Sequence, residues 1–221
     1  MDGFASQAVA DLAAWQRLGP LLTDYLPFPA GSLRPTAIVA LLDEVLIGDR
    51  SVVVQCGSGS SSILLARLLS RRGFGRLLAL EHDERAAAFV TSQLRRERLS
   101  EVARVVHTPL AAHPAAVGGL SWYEPSVVFE MVTSFVDRNG LVDLLLVDGP
   151  PIADGVPETD LSRYPALPVL RGALSPGATV LVGDDADPQS GRAVLDRWSR
   201  EFGLRFHRDR TAGLAVAVVR I

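Results

Sequence analysis

Acids close three hydrophobic stretches of this 221-residue chain: Glu81 ends "RLLALE", Asp148 ends "VDLLLVD", and Asp184 and Asp185 follow "ATVLVG". Carboxylates placed this way can accept hydrogen bonds from sugar hydroxyls, take up a proton, or hold a hard cation. A fourth stretch, "VVVQCGSGSSSILLARLL" at 52–69, suggests what they act on. A valine run stops at Gln55, Gly57 and Gly59 follow with one residue between them, and a helical pattern begins. Strand, glycine turn and helix make a nucleotide pocket, because the turn lets a ligand approach the backbone at the edge of a sheet. Glu81 lies 24 residues after Gly57, the spacing at which a carboxylate reaches ribose hydroxyls. Residues Gly57, Ser58, Gly59, Ser60 and Ser61 are therefore candidate ligand contacts, with Glu81 as the ribose acid. The plainer roles are an ordinary loop and a cap for the helix that starts near Asp83.

If the stretches ending in Asp148 and in Asp184–Asp185 are adjacent strands, three carboxylates converge at the edge that carries the glycine turn. Such a cluster is costly unless it is protonated, paired or bound to a cation. Hard oxygen donors suit Mg²⁺ or Ca²⁺. Asp148 before Gly-Pro-Pro is equally a turn former, and "DDADPQSG" is rich in helix-capping residues, so the chain leaves both roles open. Candidate general bases are His82, His113 and Asp148, with His82 next to the ribose acid. His107, Thr108, Pro109 and Leu110 close the third strand and are placed on the nucleoside side. His207 belongs to the C-terminal strands, and Cys56 reads as a small buried thiol.

These residues need a scaffold, and its elements alternate. A helix is predicted at 4–18 with Phe4, Ala8, Leu12 and Trp15 on its apolar face, followed by a proline-rich linker with buried Tyr25 and Phe28. A second helix runs from Pro35 to Gly48. Strands are then expected at "SVVVQ", "RLLALE", "ARVVHT", "VDLLLVD" and "ATVLVGD", with helices after the first two and the last, and a proline-bearing helix at about 162–174. Residues 109–140 read as a loop plus one helix around "PSVVFEMVTSF". "LRFHRD" and "GLAVAVVRI" are too closely spaced for a crossover and must pair antiparallel. The expected fold is α/β: a doubly wound, mostly parallel seven-stranded sheet with a C-terminal antiparallel hairpin, at 51–221, preceded by an N-terminal helical extension at 1–50.

Composition narrows the chemistry. All 22 basic residues are arginine. That excludes a P-loop, a Schiff-base lysine, and the Tyr-x-x-x-Lys pair of many short nicotinamide reductases. The net charge of −3 is spread along the chain, which argues against a nucleic-acid partner. The N-terminus has neither a signal-like apolar run nor a span of membrane length. One cysteine suits a reducing cytoplasm.

From residue 51 onward, element order, the x-Gly-x-Gly turn and the strand-two acid resemble the class I S-adenosylmethionine-dependent methyltransferases. The position that is usually an acid at the start of that turn is Gln55, and Ser61 stands where a third glycine is common; Ser62 holds the place of the third glycine in the dinucleotide-binding pattern. The placement of Asp148, Asp184 and Asp185 is similar to that in metal-dependent small-molecule O-methyltransferases of the catechol and macrolide-sugar types. The resemblance implies S-adenosylmethionine held by Gln55, residues 57–61, Glu81, His82, Thr108, Leu110 and Asp148. It implies Mg²⁺ on Asp148, Asp184 and Asp185, and catalysis by Asp148 and His82, although Pro151 replaces the lysine or histidine base common there. It further implies an acceptor pocket built by the N-terminal segment and by loops, in which Trp15, Tyr25, Phe28, Arg34, Trp122 and Tyr123 are candidates; packing is the plainer role of the aromatics. The expected activity is methyl transfer to a small molecule at a hydroxyl oxygen. Rivals are an NAD(P)-dependent oxidoreductase and a non-catalytic cofactor-binding protein. The acceptor and the oligomeric state, a homodimer included, stay open.

Overall fold

The computed structural model describes residues 2–29, 31–151, 161–183 and 190–219. After two N-terminal helices, α1 (Asp2–Leu18) and α2 (Pro35–Ile47), the chain alternates β1 (Val52–Cys56), α3 (Ser60–Arg72), β2 (Arg76–Glu81), α4 (Glu84–Arg96) and β3 (Ala103–His107). A small antiparallel pair follows, β4 (Leu110–Ala112) with β5 (Ser121–Tyr123), then α5 (Pro125–Asn139), β6 (Val142–Val147), α6 (Ala166–Leu170), β7 (Leu174–Gly183), α7 (Ser190–Phe202), β8 (His207–Asp209) and β9 (Leu214–Val218). Seven strands form one sheet in the order β3-β2-β1-β6-β7-β9-β8. It is parallel up to β7 and antiparallel in its last two pairings, as the sequence pattern requires.

Both faces of the sheet are covered. Leu144 and Leu146 pack towards α1–α4, Leu145 and Val147 towards α5–α7, and all four are fully buried. Burial of each contributes about 2 kcal/mol. This two-sided covering is why "VDLLLV" is continuously apolar instead of alternating. The amphipathic helices face inward as their spacing predicts: Ile38, Leu41 and Val45 from α2, Ala87, Val90 and Leu94 from α4, Leu195 and Trp198 from α7.

Several expectations are corrected. Leu12 of α1 is 62% exposed and Ala8 is exposed, whereas Ala14 and Leu18 are buried. The inward face of α1 includes partly buried Asp11, whose carboxylate accepts hydrogen bonds from Arg34 and Thr36 at 2.5 and 2.9 Å. Paired polar groups thus displaced the apolar stripe. Tyr25, expected to be buried, is 88% exposed, while Phe28 packs edge-on against Trp15. The helix expected at 162–174 shrinks to α6 and one 3₁₀ turn, because β7 begins at Leu174 and uses the residues before "ATVLVG". The β4–β5 pair lies in the segment read as loop; strands of three residues are too short to show periodicity.

Candidate functional site

The carboxyl edge of the sheet is tied together by backbone bonds just beyond the strands. Thr108 N donates to Glu81 O at 2.7 Å, Gly57 N to Leu80 O at 2.8 Å, and Asp148 N to Cys56 O at 3.0 Å. This lacing sets Glu81, the glycine turn and Asp148 side by side. Gly57 has φ +92°, and a Cβ there would stand 3.2 Å from Asp148 O, so the turn requires glycine on conformation and on space. A Cβ on Gly59 would meet nothing within 4 Å, which leaves the space above the turn open.

A cleft opens over this edge. Gly57, Ser58, Gly59, Ser60 and Ser61 line it with Glu81, His82, Asp83 and Asp148. The opposite wall comes from the N-terminal segment, including Phe28 and Leu33. Ser60 Oγ donates to Pro27 O at 2.5 Å and fixes that wall to the start of α3.

Glu81 is 4% exposed and helps to shape the cleft. Its Oε2 accepts from Ser58 N at 2.6 Å and Ser58 Oγ at 2.9 Å, and its Oε1 from Asp83 N at 2.9 Å. His82 Nδ1 lies 3.0 Å from Oε1 but out of line for a hydrogen bond. Asp83 also caps α4, accepting from Ala86 N at 2.7 Å, and that bond holds its carboxyl below the usual range.

Other candidates fall outside the cleft. Gln55 is fully buried beneath the turn, where Nε2 donates to Ser61 Oγ and Oε1 accepts from Ser62 Oγ, both at 3.0 Å. Its amide braces the first turn of α3. Thr108 is fully buried, and Leu110, 40% exposed, pairs with Tyr123 in the small hairpin; neither lines the cleft. Asp184 and Asp185 lie outside the described residues. His113 stacks edge-on against Trp122, and burial pushes its pKa down. Trp122 and Tyr123 are fully buried in the core under the sheet, and Arg34 is held by Asp11.

Comparison with known proteins decides the family. A family profile described as a methyltransferase domain matches residues 54–186, more than half of the chain. The chain belongs to this methyltransferase family. No curated protein sequence matches it. Solved structures resemble its fold: the O-methyltransferase from Bacillus cereus in complex with S-adenosylhomocysteine is 17% identical, with 96% of this chain and 91% of that chain covered and a TM-score of 0.58. The S-adenosylmethionine complex of TomG, an O-methyltransferase from Streptomyces achromogenes involved in tomaymycin synthesis, is 18% identical over 96% and 90% of the chains, with a TM-score of 0.54. An S-adenosylhomocysteine-bound methyltransferase of Podospora anserina is 12% identical over 96% and 88%, with a TM-score of 0.56.

On the far side of the methyltransferase's cleft, half-buried Asp148 points its carboxylate towards β7, since a Cβ on Gly183 would stand 2.7 Å from its Oδ1. Among the described residues, no three His, Cys, Asp or Glu side chains gather to hold a metal ion. The described residue that brings fixed charge to these strand ends is Arg163, whose Nη1 donates to Gly183 O at 2.7 Å. Sequence periodicity gave no sign of Arg163, which precedes a helix of only five residues. Cys56, below the turn, is fully buried; burial pushes its thiol up to about 12, so it is no nucleophile at neutral pH.

Proposed function

We propose that this methyltransferase transfers the methyl group of S-adenosylmethionine to a hydroxyl oxygen of a small-molecule acceptor. One observation carries it: a buried carboxylate, Glu81, stands beside an open glycine turn in a cleft that also holds Asp148. The cleft residues fit the cofactor. A carboxylate has about four acceptor positions, and three of those on Glu81 are taken by Ser58 and Asp83. The remaining position on Oε1 suits one ribose hydroxyl, and rotation of the Ser58 hydroxyl frees a second.

When bound, S-adenosylmethionine supplies a sulfonium methyl group, and the electrons of its C–S bond stay on sulfur as the new O–C bond forms. The chain's contribution is alignment and exclusion of water. Turn residues 57–61 hold the methionine moiety, the N-terminal wall closes over it, and Asp148 receives the proton that the acceptor hydroxyl gives up. His82, against Glu81, lines the cofactor side. Asp148 and, outside the described residues, Asp184 and Asp185 would hold a Mg²⁺ ion, which would lower the pKa of the acceptor hydroxyl. A cytoplasmic location is part of the same proposal and rests on the single cysteine.

A calorimetric titration with S-adenosylmethionine, S-adenosylhomocysteine and NADH, with and without Mg²⁺, tests this function. We expect the first two to bind and NADH not to. Binding of NADH alone would replace it by an oxidoreductase, and no binding by a non-catalytic role.

A further inference from the structure

At the edge of the sheet opposite the cleft, where β2 and β3 begin, three arginines line a second pocket of about 240 Å³: Arg76, Arg104 and Arg138. They come from three elements. Arg76 opens β2, Arg104 is the second residue of β3, and Arg138 lies in the last turn of α5. The parallel register sets Arg104 beside Leu78, two residues after Arg76, so both side chains leave the face of the sheet that α5 covers. Phe135, buried one turn before Arg138, closes the pocket on its core side. Ser100 and Glu101 complete the rim, and Glu101 is the one acid among the described residues that line it. Elsewhere the chain pairs arginines with carboxylates: Arg17 with Asp43 at 2.7 Å, Arg50 with Glu44 at 3.0 Å, Arg72 with Asp49 at 2.6 Å and Arg197 with Glu201 at 2.7 Å. In this pocket the bonds go to carbonyls close in the chain, from Arg76 Nη1 to Gly75 O at 2.7 Å and from Arg138 Nε to Ser134 O at 2.9 Å.

Guanidinium groups brought to one pocket repel each other, and an anion among them replaces that repulsion with attraction. Arg138 by itself complements the carbonyl end of α5, but that role gives no reason for Arg76 and Arg104 to share its pocket. A carboxylate offers two oxygens, which a single planar fork can hold. Three forks suit a group with more oxygens and more charge. A phosphate monoester has three free oxygens and close to two negative charges at neutral pH. The pocket has room for the phosphoryl group and part of the carbon group that carries it. We propose that this pocket binds a small organic phosphate monoester, with its phosphoryl oxygens on Arg76, Arg104 and Arg138 and its carbon portion towards Phe135. The site is separate from the cleft and does not depend on the methyl-transfer function.

The test is a calorimetric titration of the full chain with phenyl phosphate, inorganic phosphate and benzoate, at neutral pH and about 0.15 M salt, where loose attraction between exposed charges is screened. Phenyl phosphate should bind saturably. It should bind about tenfold or more tighter than benzoate, which has the ring but one charge, and tighter than inorganic phosphate, which lacks the ring. Arg104→Gln and Arg138→Gln should each weaken phenyl phosphate about tenfold or more, the loss expected when a hydrogen-bonded charge is removed. Arg95→Gln, exposed in the last turn of α4 and outside the pocket, should leave that affinity unchanged. The pocket arginines are exposed, so these variants should keep the thermal midpoint of the unmodified protein; one that does not is replaced by Arg76→Gln, read in the same way. No saturable binding of phenyl phosphate, equal binding of benzoate or of inorganic phosphate, or an affinity that survives either pocket substitution would overturn the assignment. An equal loss in Arg95→Gln would overturn it too, by showing attraction to net charge and not to this pocket.

Discussion

At the scale of single residues, the cleft depends on two carboxylates in contrasting settings. Glu81 is buried and braced by Ser58 and Asp83, while Asp148 is half-buried and lies against Gly183 of β7. Glu81→Ala should weaken S-adenosylhomocysteine binding by roughly 10- to 100-fold, the loss of one or two hydrogen bonds to a charged group. Calorimetry decides this, and unchanged affinity would remove Glu81 from the cofactor site. Asp148→Asn keeps the shape but cannot take a proton. It should lower kcat by about 100-fold or more while S-adenosylhomocysteine affinity holds; a variant with full turnover would show that Asp148 is no base. The residues nearest the turn were legible in the sequence because glycine, the acid and their spacing follow from the ligand's shape. Gln55 was legible as a position but not in its orientation. Its amide turns inward to Ser61 and Ser62, and only packing around α3 decides that.

At the scale of elements, α3 is the part on which the site hangs, and Arg67 is its anchor. From inside α3, Arg67 reaches Glu97 beyond α4 through bonds of 2.6 and 2.7 Å, and the carbonyl of Leu21 at 2.6 Å. Arg67→Met removes the cation from the largely shielded Glu97 carboxylate, which keeps its bond from Gln93, and takes the donor from the Leu21 carbonyl; it should destabilise the fold by about 3 kcal/mol, read from the midpoint of urea unfolding. A midpoint shift within error would show the anchor to be idle. The bonds from Arg67 hold the Glu97 carboxyl below its ordinary range. A depressed folded pKa contributes stability at neutral pH that is lost as the pH falls through the carboxylate range. The acid limb of the stability profile should therefore be shallower in Arg67→Met than in the unmodified protein. Long periodic elements such as α2, α4 and α7 were readable because helical spacing repeats over several turns. The pair β4–β5 was not, since three residues hold too little pattern, and α1 misled because Asp11 is buried with its partners Arg34 and Thr36.

At the scale of the whole molecule, the N-terminal segment and the sheet share one core. Leu18, Leu21, Leu26 and Leu33 pack in the same cluster as Ile63 and Leu64 of α3. At about 2 kcal/mol each, these four leucines rival the 5–15 kcal/mol that holds a typical domain together. A chain lacking residues 1–34 should show no cooperative thermal transition and no S-adenosylhomocysteine binding. A truncated chain that melts cooperatively and binds would make the extension a separable lid. The alternation of the main sheet's strands with α3, α4, α5 and α7, the terminal hairpin, the glycine turn and the acid ending β2 were determined by sequence alone, because periodicity, turn chemistry and short connections are local properties. Tertiary structure alone decided which side chains enter the cleft, that Phe28, Pro29 and residues 31–33 wall it, and that Arg163 bonds the Gly183 carbonyl next to Asp148. Those outcomes depend on contacts between residues far apart in the chain, for which no local pattern carries a record.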